Sequence, residues 1–116
     1  MKAWELIEQG WQSPHSFVGD FVVQHRGAAD ARGKMVGYTD PDAISFCIVS
    51  AIGRAYDIRP VSALFTDPAP APIKQVADAA GLTAGGQSLA FRLAEWNDME
   101  GRTKEEVVAL LKRLDI

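Results

Sequence analysis

Cys47 is the one residue able to act as a thiol nucleophile, and His15, His25 and Asp98 supply the imidazoles and carboxylate that would complete a catalytic set. In such a set an imidazole takes the thiol proton, a carboxylate orients the imidazole, and the thiolate attacks an electrophilic carbon. That is the chemistry of a thiol-dependent hydrolase or transferase. The surroundings of Cys47 favour a plainer role. It lies in the run Ile44 to Ile52, interrupted only by Ser45 and Ser50. On a helix expected to start near Pro41 it falls about two turns in, with no positive helix end nearby to favour the thiolate. A lone cysteine in such a place is ordinarily a small buried hydrophobe.

The other reactive side chains form no recognised constellation. His15 and His25 belong to neither a His-x-His nor a His-Glu-x-x-His pattern, and Asp40 and Asp42 lack the oxygen-donor and glycine spacing of a calcium loop. No metal and no cofactor is expected. Gly81-Leu-Thr-Ala-Gly-Gly-Gln-Ser88 has no lysine of the phosphate-loop kind. Trp96-Asn97-Asp98 reads as a helix end: Trp96 completes an apolar face, Asn97 and Asp98 terminate the helix by bonding nearby backbone, and Asp98 can reach Arg102 across the turn.

The best candidate for recognition is the stretch from His25 to Lys34, where His25, Arg26, Arg32 and Lys34 stand against Asp30 alone, with Phe17, Phe21 and Tyr38 close in sequence. These four residues are the expected partner-binding set. Nucleic acid is disfavoured as the partner, because the 116-residue chain carries a net charge of −3 and gives no long-range attraction for phosphates. A protein partner, or a second copy of this chain, fits better. One cysteine rules out an internal disulfide or a cysteine zinc cluster. No apolar run approaches the roughly 20 residues that span a bilayer. Glu5 and Glu8 interrupt any secretory leader, so a cytoplasmic location is expected.

The elements that must position these residues follow from periodicity. With 47% hydrophobic residues, positions 1–116 are expected to form one domain. Trp4, Ile7 and Trp11 place a helix over 1–10, capped by Gly10. The β-prone runs 16–27 and 34–38 flank a turn at Asp30 to Gly33, which predicts a hairpin. Asp40 as cap and Pro41 at the first turn predict a central helix, buried on most sides, running to about Arg54. Residues 59–66 fit either a helical turn or a strand, with Val61, Leu64 and Phe65 turned inward. Pro68, Pro70 and Pro72 make a stiff connector. Helices follow over 72–80, over 89–96 with Leu89, Leu93 and Trp96 on one side, and over 103–115, where Thr103 and Glu106 form a capping box. The fold class is α+β, mostly helical, with about five helices and one hairpin around the central helix.

Gly10-Trp11, Asp30-Ala31-Arg32-Gly33, Asp40-Pro41-Asp42-Ala43, Phe46-Cys47, Ala51-Ile52, Trp96-Asn97-Asp98, Gly101-Arg102-Thr103, Glu106-Val107 and Leu110-Leu111 extend over most of the chain. In this order and spacing the chain resembles family 6197 of unknown function, a group of small bacterial and phage proteins. Members usually carry Cys-Leu-x-Gly-Ala where this chain has Cys47-Ile48-Val49-Ser50-Ala51. The resemblance implies a small single domain and brings no activity with it. The expected function is therefore a non-catalytic interaction protein, with inhibition of a host defence protein as the phage analogy, and the thiol-dependent enzyme as the alternative.

Overall fold

Six consecutive residues, Ile48 to Gly53, are buried, and the other elements are arranged around them. In the computed structural model, which describes residues 1–13 and 27–116, the α-helices are α1 (Ala3–Gln9), α2 (Ile48–Ala55), α3 (Ala71–Ala79), α4 (Leu89–Asn97) and α5 (Lys104–Arg113). A small antiparallel sheet contains β1 (Ala28–Ala29), β2 (Met35–Val36) and β3 (Ser45–Phe46) in the order β2-β1-β3. This is the expected α+β class, with the central helix enclosed.

The central helix begins later than its capping residues suggest. Asp40 does not cap it; its Oδ1 accepts the Asp42 N–H at 2.8 Å and its carbonyl accepts the Ala43 N–H at 3.1 Å, closing a turn. Ser45 and Phe46 then pair with Ala29 and Ala28 as a strand. Sheet pairing has overridden local helix preference here. The N-cap of α2 is Cys47, whose Sγ accepts the Ser50 N–H at 3.4 Å.

The hairpin turn is local chemistry. Asp30 Oδ1 accepts the N–H groups of both Arg32 and Lys34 at 2.9 Å, and Gly33 sits at φ +80°, where a side chain would be strained. Its first strand among the described residues is Ala28–Ala29; of the predicted run 16–27 only Gly27 is among the described residues. On the far side of β3, Phe46 N–H donates to Gly10 O at 2.8 Å and Gln12 N–H to Phe46 O at 2.9 Å, so Trp11 adds a parallel bridge.

Helix burial follows the pattern with shifts of face. In α1 the buried residues are Ala3, Leu6 and Ile7, while Trp4 and Trp11 are half-buried. In α4 they are Ala90, Leu93, Ala94 and Asn97, leaving Leu89 and Trp96 at the margins. In α3 Ile73, Val76 and Ala77 face inward. The α5 capping box forms as predicted, and the Thr103 backbone N–H, with help from its hydroxyl and from Arg102, holds Glu106 below the usual carboxylate range. Residues Val61–Phe65 form a 3-10 helix in which only Leu64 is buried; Val61 and Phe65, expected in the core, are 56% and 39% exposed.

A Cβ at Gly10 would sit 2.7 Å from both Ile44 O and Ser45 Cβ, so Gly10→Ala is expected to lower stability by about 1–3 kcal/mol in urea titration. Tyr38 donates its hydroxyl to Ile58 O, and burial raises its pKa despite Arg59. A raised folded-state pKa favours the neutral phenol, so its stabilisation is complete below the unfolded pKa and is lost as pH rises through the folded one. Tyr38→Phe should cost about 1 kcal/mol at neutral pH, with the gap to the unmodified protein closing in alkali.

Candidate functional site

Asn97, expected only to end a helix, lies in the core with no exposed surface. Its Oδ1 accepts the Trp11 indole N–H at 2.8 Å and the Ile48 backbone N–H at 3.0 Å. Its Nδ2 donates to Gln12 O at 3.0 Å and to Asp98 Oδ1 at 2.9 Å. Both donors and both lone pairs of the amide are thus used. The reverse orientation would set the NH2 against two other donors, so the network fixes which way the amide points. Since Ile48 is the first residue of α2, the last residue of α4 caps the central helix from outside.

Around this amide the structure gathers part of the catalytic alternative. Cys47 precedes Ile48, whose N–H Asn97 accepts, and Asp98 follows Asn97 and accepts from its amide. His15 and His25 lie outside the described residues. The position of Cys47 corrects the sequence reading: it stands at the start of α2, not two turns along it. It is nevertheless fully buried, and its thiol donates to Ser50 Oγ at 3.3 Å. Ser50 lies close against Gly27, where an added Cβ would come 3.1 Å from its Oγ.

Trp96 and Arg102 answer the remaining part of that motif. Trp96 is half-buried, and the Arg102 guanidinium stacks 3.8 Å from its ring centroid. Arg102 Nε donates to Trp96 O and Nη1 to Glu106 Oε2, both at 2.9 Å, so this arginine joins the end of α4 to the start of α5 and does not serve Asp98 as expected. The tryptophan is a packing surface for a cation that is already employed.

The hairpin face differs in kind. Arg32 and Lys34 are exposed, while Asp30 spends its carboxylate on their backbone. His25 and Arg26, the other members of the expected binding set, are outside the described residues. Tyr38 is buried, so it contributes no exposed ring. Beside β2 lies a groove of about 210 Å³ whose walls include Val36, Val61, Leu64 and Phe65. Arg54 holds the loop above it by donating to Tyr38 O at 2.9 Å and Asp40 O at 2.7 Å. Sequence reading assigned Val61 and Phe65 to the core and so missed this groove. Among the described residues no three His, Cys, Asp or Glu side chains converge as metal ligands.

The sequence profile of the family of unknown function DUF6197 matches residues 19–114. The chain belongs to this family. No curated protein and no solved structure matches it. The DUF6197 region takes in the hairpin, Cys47, α2 and Asn97, whereas Trp11 and Gln12, which complete the amide network, precede it. Periodicity carried a usable signal for Asn97: positions 90, 93, 94 and 97 form one helical stripe, and its fourth member is an amide.

Removing that amide strands two buried donors. Asn97→Ala is expected to cost about 2–4 kcal/mol, more than Trp11→Phe, which removes one donor and leaves the Ile48 bond intact. Denaturant titration of the two variants checks the order.

Proposed function

We propose that this DUF6197 protein is a non-catalytic interaction module of the cytoplasm that binds a protein partner through its hairpin face. The observation that carries the reading is the hairpin turn itself, where Arg32 and Lys34 are exposed and one oxygen of the adjacent Asp30 carboxylate, Oδ1, is committed to their backbone. Unneutralised charges beside apolar surface are what a recognition site offers. Burial of the single thiol supports the same assignment, since a nucleophile must meet its substrate. No helix among the described residues is long and apolar enough to cross a membrane. In the phage setting that the family likeness suggests, the partner is a host protein, with a defence component as the leading class.

The test is capture from bacterial lysate by the tagged full chain, compared with the double variant Arg32→Glu, Lys34→Glu. A partner retained by the first and lost by the second is the expected result. Equal capture by both, or none by either, would overturn the reading.

A second reading, a thiol-dependent hydrolase or transferase, draws on one observation: Cys47 sits at the N-cap of α2, where its Sγ accepts the Ser50 N–H. Native-state alkylation separates the two. Labelling of Cys47 only at the rate of global unfolding fits the interaction module. Fast labelling of the folded chain, together with loss of phenotype in Cys47→Ala, would favour the enzyme.

A further inference from the structure

We infer that the groove beside β2 receives an extended segment of the partner, which adds as a strand to the β2 edge, inserts one apolar side chain and places carboxylates on Arg32 and Lys34. This rests on the interaction reading above and names the chemistry of what is bound.

The edge comes first. In the order β2-β1-β3, β2 is outermost among the described strands. Asp30 N–H donates to Lys34 O at 3.0 Å, and antiparallel pairs alternate between bonded and non-bonded, so the Ala28–Val36 pair is bonded and the Ala29–Met35 pair is not. Met35 therefore turns its N–H and C=O away from β1, toward the outside of the sheet. Strand addition uses such groups for affinity and flanking pockets for selection.

The pocket is present and of the right size. Val36, Tyr38, Val61, Leu64 and Phe65 line about 210 Å³, which exceeds the roughly 150 Å³ cavity that accepts a benzene molecule. A leucine or phenylalanine side chain fits that volume. Val61 and Phe65 stand exposed at its mouth.

Charge identifies the occupant. Lys2, Arg59, Lys74, Arg92, Arg102 and Lys112 each pair with a carboxylate. Among the described residues Arg32 and Lys34, like Arg54, Lys104 and Arg113, have no such ion pair, although the chain as a whole is acidic at −3. A lysine at a strand edge normally discourages pairing. It becomes favourable only toward a strand that brings acidic residues, which gives selectivity as well as attraction. A second copy of this chain is a poorer occupant: its β2, Met35–Val36, carries no carboxylate to set against Arg32 and Lys34.

The experiment is fluorescence anisotropy of the full chain with the labelled, end-capped peptide Thr-Phe-Thr-Val-Asp-Glu and with the same residues in reversed order. Saturable binding of one order is expected. It should weaken by about tenfold for Phe65→Ala, which removes a groove wall at an exposed position. It should also weaken for Arg32→Glu with Lys34→Glu, and on methylation of the peptide nitrogens that face Met35. Circular dichroism confirms that each variant is folded. Binding of neither order, or binding indifferent to both Phe65→Ala and N-methylation, would overturn the inference. So would a concentration-dependent dimer in sedimentation that Phe65→Ala abolishes, because the groove would then belong to a second copy. If lysate capture still depends on Arg32 and Lys34 while both peptides fail, the interaction module stands and only the strand-addition mode falls.

Discussion

A single buried amide joins three parts of the chain that are far apart in sequence. Asn97 receives the first N–H of α2 and the indole of Trp11, and donates to Gln12 and Asp98. Each of these groups would carry a desolvation cost if left alone inside the protein, and one side chain meets them together. The direction of α2 is set there, because a helix whose first amide is held by another helix cannot rotate or slide without breaking that bond. The segment Gly10 to Gln12 is fixed by the same residue and by β3, which it flanks.

The binding face inherits its geometry from this arrangement. With α2 fixed, Gly53 presents bare backbone to the Tyr38 ring, where a Cβ would come within 2.9 Å. Arg54, one residue on, grips the carbonyls of Tyr38 and Asp40. Together they hold down the chain leaving β2, so the edge strand and the 3-10 helix face one another across a gap and do not collapse together. The groove is thus a consequence of how α2 carries its neighbours.

Features governed by neighbouring residues were legible in the sequence, and features governed by distant ones were not. The α5 capping box and the Asp30 turn depend on side chains reaching backbone a few residues away, and both form as expected. The start of α2 was misread because Asp40 and Pro41 suit a helix end as well as a turn, and only pairing with β1 decides between them. Asn97 was read as a terminator, which it is by position, but its burial depends on Trp11, some 86 residues away. Val61 and Phe65 look like core by composition. In the 3-10 helix Val61 shares the face of Leu64 three residues on, yet only Leu64 is buried, and Val61 and Phe65 are left at the groove. Of the expected binding set, Arg32 and Lys34 are where the turn placed them, exposed at its tip.

Cys47 shows how position and environment can point in opposite directions. A helix N-cap favours negative charge, which is why reactive thiols are often found there. Here the sulfur is enclosed by the core, accepts from the Ser50 N–H and donates to the Ser50 hydroxyl. Its contribution is to cap α2 within an apolar shell. At the surface, by contrast, the outward N–H and C=O of Met35 and the cations at the turn beside it stand open to a partner.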